Sequence, residues 1–270
     1  TEAVNFVSGR NNLLSLFFML SSFLIFLRGK DQQKWRWYLL SALLFFLGLL
    51  SKETTLMLIV PIVLYSFYPS SGGEQKGGKG NALFLAPYFM VSIAYLLMRA
   101  EALSGVLGTA PFVKGLLERV ASNFYVIPEY ILLLISPWNM TVFHSVPNSG
   151  LLAIPWLFVA WAAILTTLWL LIRSRNRAVV FGLLWFGINY LPIANIIPIP
   201  SNPMAERYIY IPAVGLWLIA GEYAGKAYPG IKAERWRVIA ACAIVFAFGY
   251  LTVSRNLEWK DDLSLFRSAI

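Results

Sequence analysis

The stretch "FLGLLSKETTLMLIVP", from Phe46 to Pro61, places one Ser-Lys-Glu triplet between two apolar runs. A charge at the centre of a bilayer costs several kcal/mol, but this cost falls steeply near the interface. Lys52 and Glu53 therefore predict a turn between two membrane helices, at one face of a bilayer. Two interpretations of the triplet stay open: a polar turn, or one part of a binding site.

The rest of the chain is as apolar as this stretch. Of its 270 residues 59% are hydrophobic and 13% are charged, and the mean hydropathy is +0.67. Soluble domains are about half apolar and about a quarter charged. Apolar blocks of about 18 residues are long enough to cross a hydrocarbon core about 30 Å thick. The sequence thus predicts an all-α, polytopic membrane helix bundle. Its eight predicted spans are 11–27, 37–50, 54–68, 82–98, 151–172, 178–196, 203–223 and 236–254.

The Lys and Arg residues predict the orientation of these spans. Four loops hold 13 of the 22 basic residues, and basic loops face the cytoplasm. Both termini of the chain then lie outside the cytoplasm. The net charge of +9 is explained by topology, and we expect no nucleic-acid partner. The four basic loops are "RGKDQQKWR", "PSSGGEQKGGKGN", "RSRNR" and "GKAYPGIKAERWR".

Residues 99–150 are predicted to form an external helical segment that makes no net crossing. A ninth crossing within 123–135 would move "RSRNR" to the outer face and break the charge rule. The piece "GLLERVASNFY" fits an interfacial helix that keeps Lys114, Glu118 and Arg119 toward water. Residues 123–135 then lie on the membrane or dip into it.

A second cation lies on the same predicted face, in "IIPIPSNPMAERYIYIP". Asn202 as N-cap and Pro203 at the first position predict a helix that starts there. Arg207 would lie one turn inside, next to Tyr208 and Tyr210. A helix start and an Arg together form an anion site. The alternative is an Arg that reaches to the interface and pairs with Glu206.

Lys52 and Arg207 on one face favour an anion with a lipid tail, such as a polyprenyl phosphate among membrane lipids. The single His144 and single Cys242 argue against a His or Cys metal site. No other cofactor is indicated by the sequence.

Four segments resemble the transmembrane and tetratricopeptide repeat-containing (TMTC) proteins and their bacterial relatives, which are GT-C class glycosyltransferases dependent on polyprenyl-phosphate sugars. The Thr-Glu-Ala-Val, Ser-Lys-Glu and Ala-Glu-Arg-Tyr blocks are distinctive in combination. The segments are "TEAVNFVSGRNNLLSLFFML", "LLSKETTLMLIVPIVLY", "NIIPIPSNPMAERYIYIPAVG" and "RNLEWKDDLSLFRSAI".

The resemblance implies a membrane enzyme that moves a sugar, such as mannose, from a polyprenyl or dolichyl phosphate to a hydroxyl acceptor on a protein or glycan. It implies a GT-C-like membrane domain at 1–254, truncated on its N-terminal side, and the start of an extracytoplasmic tetratricopeptide region at 255–270. Lys52 and Arg207, with Tyr208 and Tyr210, would hold the carrier phosphate. The residues that would support the pocket are Glu2, Arg10, Asn12, Glu53 and Glu206.

Two departures from the family pattern matter. Asn12 stands where the family usually has Asp, and the acidic catalytic base is expected upstream of Thr1. Some GT-C enzymes use a divalent metal, but no carboxylate cluster in this chain demands one. The alternatives are a noncatalytic membrane anchor for a repeat domain and a transporter or flippase of lipid-linked substrates. The plain cytoplasmic loops favour a bacterial inner membrane, with the endoplasmic reticulum membrane as the eukaryotic counterpart.

Overall fold

The structure is a computed structural model that describes Glu2, Phe6, residues 9–67, 83–104, 115–137, His144, Val146, residues 154–196, 204–227, 231–256 and Trp259. The regular elements of this part are helices, which confirms the predicted all-α class. They are α1 (Arg10–Gln32), α2 (Trp35–Ser51), a 3-10 helix (Glu53–Leu58), α3 (Ile59–Ser66), α4 (Ala86–Leu103), α5 (Leu116–Ile135), α6 (Pro155–Arg173), α7 (Arg177–Tyr190), a 3-10 helix (Leu191–Ile193), α8 (Tyr210–Ala227) and α9 (Ile231–Asn256).

Each of the eight predicted spans overlaps a helix, but fewer helices are both long enough and apolar enough to cross a bilayer. Within the described residues, the candidate spans are α1, α6 and the Val238–Asn256 part of α9. Shorter apolar helices occupy Trp35–Ser51, Glu53–Ser66 and Arg177–Ile193. Eight crossings and the orientation of the termini therefore stay predictions.

The chain divides into two compact units, and Arg10–Val113 forms one of them. Its helices α1 and α2 pack together through a pair of buried serines. The hydroxyl of Ser22 donates to the carbonyl of Ser41 at 2.8 Å, and the hydroxyl of Ser41 donates to the carbonyl of Ser22 at 2.6 Å. Small side chains such as Ser allow two helices to approach each other closely in an apolar environment. An aromatic core of Phe26, Phe45 and Tyr88 packs beside this pair.

The Ser-Lys-Glu triplet is a turn, as predicted, although no single helix covers 54–68. Helix α2 ends at Ser51, and the 3-10 helix Glu53–Leu58 precedes α3. Pro61 explains this division. Inside an α-helix its ring would clash with the carbonyl four residues earlier, but in the first turn of α3 it is tolerated.

The other unit contains Thr1–Gly9 and Lys114–Ile270. Here α7 and α8 meet at two glycines: a Cβ on Gly182 would lie 2.5 Å from the carbonyl oxygen of Gly215. A buried core forms between α5, the end of α7 and the segment before α8. It consists of Val126, Tyr130, Tyr190, Ile193, Ala194, Met204 and Ile209.

Helices α6 and α9 keep most of their apolar side chains on the surface of this unit. Val159 is 71% exposed and Phe246 is 79% exposed. Exposed apolar faces of this extent mark contact with a membrane or a partner. The two helices therefore have the surface expected of membrane-facing elements.

Helix α5 joins the two pieces of 99–150 that the sequence analysis treated separately. It is continuous from Leu116 to Ile135 through Pro128, and it is not among the candidate spans of the described residues. Glu118 is exposed as predicted, but Arg119 is half-buried. Lys114 lies outside the described residues, and the absence of a net crossing stays a prediction.

Helix α8 starts seven residues later than the predicted start at Pro203, at Tyr210. A helix from Pro203 would place Pro212 in its interior, whereas a start at Tyr210 leaves Pro212 in the first turn, where no intrahelical N–H partner is needed. The predicted cap Asn202 and Pro203 lie outside the described residues. So does most of 255–270, the predicted start of a repeat region.

Candidate functional site

Arg207 lies in the turn before α8 and is held by Glu2. The backbone N–H of Arg207 donates to Oε2 of Glu2 at 3.0 Å, and its Nη1 forms an ion pair with Oε1 of the same carboxylate. The Glu2 side chain is 2% exposed and the Arg207 side chain 16%. A carboxylate bonded to both the backbone and the side chain of one Arg fixes the direction of that side chain.

Two aromatic rings lie close to the guanidinium of Arg207. Its carbon lies 4.8 Å from the ring centre of Phe6 and 5.0 Å from that of Tyr208, within the range of cation–π attraction. The Nε and Nη2 groups of Arg207 make no hydrogen bond within the described part of the chain. Arg207 is thus oriented by one edge, while donors on its other edge can bind an anion.

Tyr130 of α5 fixes the backbone just before Arg207. Its hydroxyl donates to the carbonyl of Ala205 at 3.0 Å and accepts the N–H of Ala205 at 3.2 Å. Burial raises the pKa of the Tyr130 phenol, so the hydroxyl stays protonated and can donate. This contact anchors the segment before α8 to the buried core.

Glu206 and its neighbour Arg207 have different partners: Glu206 lies beside His144, whereas Arg207 pairs with Glu2. Oε1 of Glu206 lies 3.7 Å from Nε2 of His144, and the two side chains are 11% and 9% exposed. The predicted alternative, in which Glu206 pairs with Arg207, is therefore wrong, since Glu2 takes that place. Sequence reasoning missed His144 because a lone His carries no spacing pattern.

Lys52 lies in the other unit, where Asn12 of α1 accepts a hydrogen bond from its ammonium. The turn that carries Lys52 is held by Thr55. The Thr55 hydroxyl donates to the carbonyl of Gly48 at 2.9 Å and is also bonded to the hydroxyl of Ser15 at 2.8 Å. Asn12, which stands where the resembled family usually has Asp, therefore makes a polar contact with Lys52.

The remaining predicted residues are less closely tied to these cations. Glu53 pairs with Arg99 at 3.3 Å, and both side chains are exposed. Arg10 opens α1 and is exposed, as is Tyr210 at the start of α8. The structure therefore brings together Glu2, Arg207 and Tyr208 in one unit and Asn12 with Lys52 in the other. Lys52 and Arg207 belong to different units, and one phosphate shared by them stays a prediction.

The predicted placement of Arg207 inside the first turn of a helix is wrong. The backbone N–H groups of Arg207 and Tyr208 are bonded to Glu2 and to the carbonyl of Ala205. The helix start is three residues further on, at Tyr210. An anion at this place would therefore be bound by the Arg207 side chain. Among the described residues, no three His, Cys, Asp or Glu side chains form a group that could hold a metal ion.

The first third of the chain matches a known protein family. The profile of the family described as dolichyl-phosphate-mannose-protein mannosyltransferase matches residues 3–94, which include Asn12 and Lys52. The protein O-mannosyl-transferase Tmtc1 of Drosophila melanogaster is 33% identical over 101 residues, which cover 36% of this chain and 12% of the relative. No solved structure matches the chain.

Two further relatives extend the match to Arg207. A protein O-mannosyl-transferase of Caenorhabditis elegans is 24% identical over 279 residues and matches 100% of this chain and 38% of its own length. The human protein O-mannosyl-transferase TMTC4 is 26% identical over 313 residues, again across 100% of this chain and 42% of its own length. The chain is TMTC-like. The resemblance to the TMTC proteins of the GT-C class is confirmed, and the TMTC-like chain spans about two fifths of the length of these two relatives.

Proposed function

We propose that the TMTC-like chain is part of a membrane glycosyltransferase that moves mannose from a polyprenyl or dolichyl phosphate to a hydroxyl of a protein or glycan. The names of its relatives support mannosyl transfer. The single observation that carries the phosphate part is the geometry of Arg207. Glu2 orients this side chain, and two of its donor groups make no hydrogen bond within the described residues.

The chemistry gives these donors a role. The acceptor oxygen bonds to the anomeric carbon of the sugar, and the bond from that carbon to the phosphate oxygen breaks. The carrier phosphate leaves with the electron pair, and a base takes the proton of the acceptor hydroxyl. Donors already aimed at the departing phosphate stabilise the charge that develops on it, without reorganisation during the reaction. Arg207 meets this requirement because the Glu2 carboxylate and two aromatic rings hold it in place.

Lys52 is proposed to be the second cation at the same phosphate, on the extracytoplasmic face of a multi-pass protein. Its ammonium donates to Asn12, a neutral acceptor, so this contact leaves the positive charge of Lys52 in place for an anion. The transfer needs no metal in this proposal, because cationic side chains supply the charge stabilisation. The bilayer is a bacterial inner membrane, or the endoplasmic reticulum membrane in a eukaryote.

Substitution of the two cations in the full-length protein tests the proposal. Arg207→Ala and Lys52→Ala each remove a charged hydrogen bond of about 1.5–3 kcal/mol. We expect a loss of about 10- to 150-fold in mannosyl transfer or in carrier affinity. Arg207→Lys should lose less, because a point charge replaces the guanidinium fork. The double variant should show less than the sum of the two losses, since both residues serve one phosphate.

Lys34→Ala is the matched control, because Lys34 is an exposed cation in a predicted cytoplasmic loop. It should keep the parental rate at equal protein abundance. Parental rates for both Arg207→Ala and Lys52→Ala would contradict the proposal and leave Ser51–Glu53 as a polar turn. A full-length parent that neither transfers sugar nor binds the carrier would favour the noncatalytic anchor.

A further inference from the structure

Two buried polar atoms in the unit that contains Arg207 face each other across a short gap. Nε2 of His144 and Oε1 of Glu206 lie 3.7 Å apart, which is too long for a hydrogen bond. Both atoms are buried, and neither has a hydrogen-bond partner in the described structure. Buried polar atoms in proteins nearly always have a partner, so this arrangement needs an explanation.

A hydroxyl group fits between the two atoms. One oxygen can lie about 2.8 Å from each of them, which is an ordinary length for such hydrogen bonds. The hydroxyl oxygen would accept a hydrogen bond from the Nε2–H of His144, and the hydroxyl would donate a hydrogen bond to the carboxylate of Glu206. A hydroxyl has one donor and two acceptor positions, so this use satisfies both protein atoms at once.

The position of this His–Glu pair (His144 and Glu206) relates it to the Arg207 site. Glu206 precedes Arg207 directly, so the Cα atoms of these two residues are about 3.8 Å apart. Trp259 provides a further buried donor nearby, since its Nε1 has no hydrogen-bond partner in the described structure. Its ring packs against Phe6 at 6.3 Å, and Phe6 in turn covers the guanidinium of Arg207.

We propose that the His–Glu pair binds a ring hydroxyl of the sugar whose phosphate is bound by Arg207. This proposal rests on the proposed function. In a glycosyl phosphate, the hydroxyl on the carbon next to the anomeric carbon is the sugar hydroxyl nearest to the phosphate. Because Glu206 directly precedes Arg207 in the chain, the pair and the Arg207 side chain are proposed to hold two groups of one ligand. The pair therefore lets the protein distinguish a sugar-bearing carrier from a bare one.

The test compares two probes on the full-length protein in detergent or nanodiscs: a short-chain polyprenyl phosphate and its mannosyl ester. Glu206→Gln and His144→Leu are expected to weaken binding of the mannosyl ester about 10-fold, since the first replaces a charged acceptor by a neutral one and the second removes the donor. Both variants should bind the bare phosphate like the parent. His144→Gln should retain part of the affinity, because its amide nitrogen can donate from the position of Nε2. The control Glu101→Gln removes an exposed carboxylate and should change neither affinity.

The outcomes separate this inference from the proposed function. If Arg207→Ala leaves binding of both probes intact, the phosphate site itself is disproved. If Arg207→Ala weakens both probes but the pair variants bind both like the parent, the pair holds only water and this inference is overturned. An equal loss of both probes in the pair variants, with lowered thermal stability, would show a structural pair and would also overturn it. Unchanged donor binding with a raised KM for an acceptor peptide would reassign the pair to the acceptor hydroxyl.

Discussion

Arg207 and Lys52 are the two predicted phosphate-binding cations, and their partners differ in charge. Arg207 is paired with the buried carboxylate of Glu2, whereas Lys52 donates to the amide oxygen of Asn12. A carboxylate stabilises a buried cation and fixes its direction, but it also offsets the charge that an anion would use. An amide fixes direction and leaves the charge unchanged. The Glu2 pair therefore fixes the direction of Arg207 at a cost in net charge, whereas the Asn12 contact by itself does not offset the charge of Lys52.

Loss of Glu2 should have the largest effect on stability. Removing one partner of a buried ion pair costs about 3–5 kcal/mol, and the partial exposure of Arg207 places Glu2→Ala near the lower value. The Asn12→Ala control removes a neutral acceptor and should cost less, about 1.5–3 kcal/mol for a hydrogen bond to a charged group. Denaturant unfolding of the full-length protein in mixed micelles measures both. Equal losses would mean that the charge of Glu2 adds nothing to its hydrogen bonds.

Gly48→Ala tests how tightly the Lys52 turn is packed. A Cβ at Gly48 would lie 2.8 Å from Cγ2 of Thr55 and 3.2 Å from Cβ of Phe18. Overpacking of this kind costs about 1–3 kcal/mol, and it should also lower carrier affinity by displacing Lys52.

Gly187→Ala in α7 is the matched control for this substitution. A Cβ at Gly187 has no neighbour within 4 Å. Because Ala is favoured over Gly in a helix by up to about 1 kcal/mol, this variant should be neutral or slightly more stable. If Gly48→Ala behaved in the same way, Thr55 would not restrain the turn.

The turn at Lys52 could be predicted from the sequence because its signal is local. Two apolar runs separated by one charged triplet allow few arrangements in a membrane helix bundle. The division of 54–68 near Pro61 is also a local effect, because the proline ring would clash with the preceding helical turn in the interior of an α-helix.

The Arg207 segment could be predicted only in part, because its conformation depends on distant residues. Pro203 and Pro212 are both acceptable near a helix start, and the local sequence does not choose between them. In the structure, Arg207 bonds to Glu2 and Ala205 bonds to Tyr130, partners separated by 205 and 75 residues. His144 and Glu206 likewise meet across a long separation in sequence, so no spacing rule would have paired them.

Glu53→Gln should have the smallest effect of these substitutions, and it tests whether Glu53 belongs to the site at all. Glu53 is bonded to Arg99 at 3.3 Å, with side chains 55% and 40% exposed. Exposed ion pairs contribute about 0–1 kcal/mol and are screened by salt. We therefore expect a change in stability within this range, smaller still at high salt, and parental carrier affinity. A fall in carrier affinity without a change in stability would instead place Glu53 beside the phosphate with Lys52, and the turn would then contribute both of its charges to the site.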